Sequence, residues 1–535
     1  MALTMPETNM MLFLRGLWLC LGLAVFYGLY RGIYNRYFHP LRHFPGPFWG
    51  SVSDFFKLWI LHTKQAHTLG LKYHEKYGPV VRAAPNLLAV NDPLLLPQIY
   101  HRRVDKTDVY TTGVLGELAP PFQTIKHEDH AAKRKRVANS FTLTNLKPLE
   151  GQIDARVVQW TSVLNEKFAQ TGEKMDFAQW SQWFAYDTIC QLSFGEPLGF
   201  VKEGRDIEDL IGNFHDMAPF AAVVGALPWL ARPLLENPLT RRFAMPKPGD
   251  GSGTGKIMAF RDKLLEQRLE DPKASQRGDF LDNILASKNA DGTPITVDEV
   301  KTECFVLMVA ASDTTAAFFC GFVRYVVQTP GVYEKLVAEI DDFDRRGLLN
   351  QPVPLFEQVK QMPYFKACHL EVTRFYPSTP MIIPRYVSEG GMDLYGVHAP
   401  AGAEIGANPY VIQRDKKMFG EDADVFRPER WLEDEARAVH MEKHILTWGY
   451  GTRICLGKNI ALMETYKLMS QVNIVYPAPS VALANPSRQF FRVFKPSIYD
   501  NNNVWRADNL ALLVHWDMWI NIQARESKVE EKIAS

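Results

Sequence analysis

Cysteine that could pair is scarce in this chain. Its 535 residues hold six cysteines (Cys20, Cys190, Cys304, Cys320, Cys368 and Cys455) at irregular intervals. That excludes a disulfide framework and a CxxC zinc pair, and it suits a reducing compartment for the bulk of the chain. Net charge is missing too. With 60 Lys and Arg against 60 Asp and Glu, the totals point to no nucleic acid and no acidic partner, so such a contact needs a local patch. There is no internal repeat, and no flavin or nicotinamide motif. GDGSGTGK (249–256) approaches a phosphate loop, but Asp250 stands where its first glycine belongs and Ile257 replaces the Ser or Thr. Following Pro246 and Pro248, it reads as a flexible loop. Only 22% of residues are charged and 46% are hydrophobic, enough for a large core in one unit of mixed helix and sheet.

One apolar run does not belong to that core. Residues 10–30, MMLFLRGLWLCLGLAVFYGLY, carry a single charge, Arg15. At about 1.5 Å per residue they span the roughly 30 Å of a bilayer core, with Arg15 able to snorkel to the interface. A cleaved signal peptide needs a basic start and a small-residue cleavage site, and neither is present. Arg31, Arg36 and Arg42 follow the run, whereas only Glu7 precedes it, which leaves the body on the cytosolic side. FPGPF (44–48) then reads as a stiff extended elbow, because proline fixes φ and disfavours helix before it. The expected organisation is a membrane anchor (1–34), a proline-rich linker (35–50), the main body (51–493) and an atypical C-terminal segment (494–535).

Within the body, Thr296 and Glu299 form a capping box opening a helix that runs to Pro330. At some 33 residues it is roughly 50 Å long, enough to cross a globular body. Its middle, ECFVLMVAASDTTAAFFC, is apolar nearly all round, so the polar cluster Ser312, Asp313, Thr314 and Thr315 must be hydrogen-bonded to be buried. The hydroxyls can bond back to carbonyls four residues earlier, so the cluster alone is as compatible with structure as with function. In YFKACHLEVTRFYP, Glu371 and Arg374 are three apart on a helix. FRPERW adds Arg430, which completes a carboxylate with two guanidiniums, each able to bind it bidentately. WGYGTRICLGKNIA (448–461) sets Cys455 in a glycine-rich loop directly before a helix over 456–469. Free N–H groups and the partial positive charge at a helix N-terminus favour a thiolate. Arg453 could pair with an anionic group beside it, an arrangement suited to a metal in an anionic organic ring.

These motifs together resemble the cytochrome P-450 family of haem-thiolate monooxygenases over residues 38–485. WGYGTRICLG is similar to that family's F-x-x-G-x-R-x-C-x-G signature, with Trp448 in place of phenylalanine. AASDTT (310–315) resembles its [A/G]-G-x-[D/E]-T-T segment, with Ala311 in place of glycine. HAAKR (130–134) resembles its W-x-x-x-R element, with His130 in place of tryptophan. The resemblance implies a mainly α fold with small β-sheets: one large haem domain behind a transmembrane anchor. It implies haem b on the thiolate of Cys455, which pushes electron density onto iron, with propionates held by His130, Arg134, Arg385 and Arg453. Glu371, Arg374 and Arg430 become a structural triad. Thr314 would hydrogen-bond dioxygen, and Asp313 would relay protons.

The implied reaction is hydroxylation or O-demethylation of a lipophilic small molecule. Electrons from NADPH would arrive through a flavin-containing NADPH-cytochrome reductase, with cytochrome b5 as a further candidate donor, at the endoplasmic reticulum membrane. The single-pass anchor would leave the catalytic domain in the cytosol, with no nucleic acid involved. KRKR (133–136) would direct Arg134 to the haem and leave Lys133, Lys135 and Arg136 for the reductase. Residues 110–122, 305–310 and 379–383 would line the pocket. HPLRHFPGPF and NPYVIQRDKKMFGEDADVFRPERW resemble fungal members, the pisatin-demethylase-like group among them, and so suggest secondary metabolism or detoxification. A haem-thiolate isomerase or dehydratase, needing no reductase, is a second reading, disfavoured by the Asp313–Thr314 pair. A non-catalytic haem-binding protein is a third, disfavoured by an apolar pocket and a proton relay. The stretch 494–517, with its NNN run, fits no family ending and reads as an insertion or a gene-model artefact; WINIQAR (519–525) does resemble one.

Overall fold

The computed structural model describes residues 7–111, 118–237, 239–240, 246–270, 278–289, 292–350, 352–470, 494–500, 505–509 and 512–524. The apolar N-terminal run forms the helix Glu7–Ile33, and the best spanning stretch there is nowhere buried against the body. The chain then coils through Tyr34–Phe38 and Pro40–His43 before it extends at Phe44 and Pro47. Hydrogen bonds tie this junction to the body, among them one from the Arg82 N–H to the Pro45 carbonyl (2.7 Å). Asn35 Nδ2 donates to the Val52 carbonyl (2.9 Å), and the buried Arg82 donates to the Asn35 carbonyl (2.9 Å). Gly46 is needed here, since a Cβ on it would lie 2.4 Å from the Arg82 carbonyl oxygen.

Apolar residues all round the helix Val297–Gln328 place it through the centre of the body, with Thr296 and Glu299 capping it reciprocally as their spacing predicts. It packs along the helix Phe177–Phe194, where Phe184 meets Phe319 edge-on at 5.8 Å. Long and apolar enough to cross a membrane, it is mostly buried in protein instead. Four strands form the main sheet in the order Val80–Ala84, Leu87–Val90, Glu404–Gly406, Arg385–Tyr386. Leu87 pairs in parallel with Glu404; the other two pairings are antiparallel. This sheet fixes Arg385 beside the core, 3% exposed.

Three sequence expectations shift. GDGSGTGK is not all loop: its second half opens the helix Gly253–Glu270, and a Cβ on Gly255 would overlap Asp250 and the Lys247 carbonyl. The helix after Cys455 is Lys458–Met469, two residues later than read. The atypical tail forms paired strands in its described parts. Phe494–Ile498 pairs with Trp519–Ala524, which also pairs with Met175–Asp176, and Arg506–Asn509 forms a ribbon with Leu513–Trp516. Trp505, Leu513, Ile520 and Ile522 are buried. Strands this short, each with its own buried face, leave no period in the sequence. Residues 501–504, 510–511 and 525–535, Arg525 among them, lie outside the described residues.

Glu464 sits on the helix Lys458–Met469 at 1% exposure, its Oε1 without a hydrogen-bond partner. Burial pushes its carboxyl up to about 8. The folded state therefore keeps this proton where the unfolded chain has lost it, and stability falls as pH rises from the ordinary carboxylate range to about 8. Glu464→Gln should flatten that slope and raise stability at alkaline pH by about 1–4 kcal/mol, measured by denaturant titration across pH.

Candidate functional site

Glu371, on the helix Pro363–Phe375, is wholly buried and collects donors from four residues. Arg374 binds it in a fork, Nε to Oε2 at 2.9 Å and Nη2 to Oε1 at 2.7 Å. Arg430 Nε adds 3.0 Å to Oε1, the Arg427 backbone N–H 3.0 Å, and Trp431 Nε1 2.9 Å to Oε2. Burial alone would raise this carboxyl. The guanidiniums of Arg374 and Arg430 outweigh it and hold the group below its usual range.

The network continues toward the cysteine through Gln413, a residue the sequence reading missed. Its side-chain N–H donates to the Arg374 carbonyl (2.7 Å). Its Oε1 accepts from the backbone N–H groups of Leu446 (2.7 Å) and Thr447 (2.9 Å). A buried amide serving two chain segments is one signal that could have found it, but NPYVIQRD shows no pattern around Gln413. The Cys455 N–H then closes the loop on the Trp448 carbonyl at 2.6 Å, and positive φ at Gly449 and Gly451 permits the turns.

Cys455 differs from the other cysteines of the body: Cys190, Cys304, Cys320 and Cys368 are buried, and Cys455 is exposed. Its sulfur is nonetheless ringed by protein. That surrounding raises its pKa, opposed by N–H groups of Gly457 and Lys458 and by the charge of Arg134. A second opening interrupts the central helix, where Ala310 is exposed and Ala311 and Thr314 are partly so, amid buried neighbours. Thr314 Oγ1 bonds back to the Ala310 carbonyl (2.8 Å), and Ser378 Oγ donates to the Thr314 carbonyl (2.7 Å). The Leu513 N–H in turn donates to the Ser378 carbonyl (2.9 Å), so the tail helps wall this opening. Residues 379 and 381–383 are partly exposed there. Phe305 belongs to the main core at 1% exposure and is withdrawn from the lining. Residues 112–117 of the expected pocket loop lie outside the described residues.

Four cations and one histidine gather at the edge of the site. Arg134 donates to the Ile454 carbonyl (2.7 Å), and Arg453 to the carbonyls of Thr124 (2.8 Å) and Ile125 (2.7 Å). Arg385 donates to the Tyr110 hydroxyl (3.1 Å), and Lys106 to the Phe122 carbonyl. His130 is buried and pushed down to about 3, by desolvation first and then by Arg453, Lys106, Arg134 and Arg385, which keeps it neutral. Lys106, carrying no motif, escaped the sequence reading; burial, Arg385 and Arg453 hold it well below the usual lysine range.

Among the described residues none of these four cations forms a salt bridge with a carboxylate. The nearby Asp105 is committed to Lys126 (3.0 Å) and His127 (2.9 Å). Buried and partly buried positive charge answered by carbonyls and a phenol calls for an anion. Among the described residues, no group of three or more His, Cys, Asp or Glu side chains could hold a metal ion. The donor set is thus one sulfur plus a basic cluster, and it fits haem b: a thiolate for iron, and Lys106, Arg134, Arg385, Arg453 and His130 for two propionates.

One reading of the basic run is corrected. Arg136 does not face outward for a partner: it is paired with Glu299 and lies 3.8 Å from Glu303. The acidic first turn of the central helix draws it in. Lys133 donates to the Ala119 carbonyl (2.6 Å), and Lys135 alone is fully exposed.

Removing the charge at the hub should be severe. Glu371→Gln leaves two buried guanidiniums underpaired, a loss of about 3–5 kcal/mol. The expected result is an early denaturation midpoint and poor haem retention, read by denaturant titration and by the haem-to-protein absorbance ratio.

Comparison with known proteins identifies the family. The profile of the family described as Cytochrome P450 matches residues 40–472. The chain is 33% identical over 463 residues to quiannulatic acid synthase of Emericella variicolor, covering 83% of this chain and 89% of that one. It is 31% identical to the cytochrome P450 monooxygenase cicH of Emericella nidulans (84% and 90% covered) and 31% identical to gsfF of Penicillium aethiopicum (86% and 91% covered). With its cysteine loop, its buried carboxylate–guanidinium hub and its profile over most of the body, the chain belongs to the cytochrome P450 family and is a haem-thiolate monooxygenase.

Proposed function

We propose that this enzyme uses electrons from NADPH, delivered by a flavoprotein reductase, to hydroxylate or O-demethylate a lipophilic small molecule at the endoplasmic reticulum membrane. The observation that carries the reading is exposure in two places: at Cys455, alone among the cysteines of the body, and at Ala310, Ala311 and Thr314 in an otherwise buried helix. When bound, haem would supply activation of dioxygen, which is itself the oxidant. The chain supplies the rest. Cys455 is presented by a loop rigidified through Gln413. Small side chains at Ala310 and Ala311 leave room beside the cofactor, and Thr314 offers a hydroxyl whose own proton is parked on the Ala310 carbonyl. Asp313, one residue away and 4% exposed, is the proton relay. Apolar side chains at the openings, Ala310, Ala311, Met381, Ile382 and Ile383, favour a lipophilic substrate. One relative is named quiannulatic acid synthase, after a small-molecule product, which supports a role in fungal secondary metabolism.

Membrane association has a second support beyond the anchor. The helices Phe55–His62, Leu210–Ala226 and Pro228–Glu236 pack together and expose Trp59, Phe220, Val223, Trp229 and Leu230. Phe55 meets Trp229 edge-on at 6.2 Å. Aromatic residues clustered near the anchor's exit suit the headgroup region of a bilayer. Removing residues 1–34 should weaken vesicle binding without abolishing it. Adding Trp59→Asp and Trp229→Asp should release the body, read by flotation.

Cys455→Ala should eliminate the characteristic absorption band of the reduced carbon-monoxide complex. Thr314→Ala should keep that band while NADPH consumption yields peroxide instead of product. A wild-type chain that binds haem but oxidises no NADPH with any reductase would overturn the reading.

A further inference from the structure

Asp313 does not stand alone in the central helix. His215, from the helix Leu210–Ala226, places Nε2 3.1 Å from Asp313 Oδ1, and both residues are buried at 8% and 4% exposure. Gln182, from the helix Phe177–Phe194, donates to the same oxygen, and its amide lies 3.1 Å from His215 Nε2. Trp516 closes the arrangement from the tail ribbon, its ring edge-on to His215 at 5.2 Å. Two elements distant in sequence thus converge on one carboxylate oxygen, and a third packs against the histidine. The other oxygen, Oδ2, is buried with no hydrogen-bond partner among the described residues. A merely structural carboxylate would satisfy both oxygens. Anchoring one and sparing the other suits a group that must exchange a proton.

The contact is also built to open. Pro219 lies four residues after His215 inside its helix. Lacking an N–H, it removes the donor that the His215 carbonyl would otherwise have, which weakens the helix at this turn. Just before the helix, Glu208 and Asp209 have φ of 53° and 51°, left-handed backbone that is costly for such residues. Asp206 holds the first turn by accepting from the N–H groups of Ile211 (3.2 Å) and Gly212 (2.9 Å). The same helix carries the exposed Phe220 and Val223.

We propose that His215 is a positioning residue for Asp313: it holds Oδ1, leaves Oδ2 free for proton exchange, and couples proton delivery at Thr314 to the position of the helix Leu210–Ala226. This rests on Asp313 being the proton relay of the proposed function. The charged groups facing His215 are all acidic: Asp313 on the central helix, Asp206 before its own helix and Asp216 next to it. Burial disfavours the imidazolium, but these carboxylates outweigh it and raise His215 above the ordinary histidine range. The ion pair is therefore complete below that ordinary range and is lost as pH rises through the raised folded value.

Two measurements on the full-length haem protein in lipid nanodiscs test this. An infrared titration with ring-labelled histidine, assigned by the band that His215→Gln removes, reads the protonation of His215 itself and needs no turnover. In Asp313→Asn, His215 should titrate nearer the ordinary histidine range; an unchanged titration overturns the proposal. The second is the rate of NADPH oxidation with reductase and no added substrate, over about pH 6 to 9. Wild type should show an alkaline limb that disappears in His215→Arg, which keeps the charge, with the rate held at its acidic-side value. His215→Gln should run several-fold slower with no limb. Identical profiles in wild type and His215→Gln would contradict the proposal, and retention of the carbon-monoxide band shows that each variant is folded. Absence of NADPH oxidation in wild type would sink the monooxygenase reading instead, while the titration still reports on His215.

Discussion

Everything near the cysteine depends on one buried carboxylate being fully answered. Glu371 has no exposure to water, and a lone anion there would be untenable. Two guanidiniums, an indole and a backbone amide make it tenable, and each guanidinium is spoken for at its far side. Arg374 reaches the Gln413 and Ala423 carbonyls, both at 2.8 Å, and Arg430 reaches those of Phe419 (2.6 Å) and Asp422 (2.9 Å). The hub therefore fixes the strand-poor region between residues 413 and 447 without help from a sheet. Because Gln413 then binds Leu446 and Thr447, the loop bearing Cys455 inherits that rigidity. A thiolate ligand needs such preorganisation, since a mobile one would lose affinity to the entropy of ordering.

The electrostatics divide the site into two kinds of imbalance. At the basic edge there is too much positive charge, with Lys106 and Arg453 both held down by burial and by neighbouring cations. Around Asp313 the excess is negative, with His215 the cation that faces the carboxylates of Asp313, Asp206 and Asp216. The first imbalance is static and suits permanent binding of a dianionic cofactor. The second rests on a titratable partner carried by a weakened helix, and so suits a contact that opens and closes. The same fold thus keeps a binding edge and a switching edge apart, on different elements.

The sequence made legible what is carried by local pattern. The apolar N-terminal helix, the capping box at Thr296 and Glu299, the glycine turns around Cys455 and the three-residue spacing of Glu371 and Arg374 are each local in the chain. What it hid depends on distant contacts. Gln413, Lys106 and His215 acquire meaning only when elements up to hundreds of residues apart are packed, as the Asp313 pair, 98 residues apart, illustrates. Arg136 shows the converse: a basic run looked like one surface, but an acidic helix start 163 residues later claims one of its members. The tail defeated pattern reading because its strands are four to six residues long and each buries its own set of side chains.

The central claim is that the sulfur of Cys455 binds haem iron as an anion. Iron-edge X-ray absorption of the purified ferric protein tests it most directly. The account predicts one sulfur scatterer in the first shell, lost in Cys455→Ser. A first shell of nitrogen and oxygen alone in the wild-type protein would contradict it.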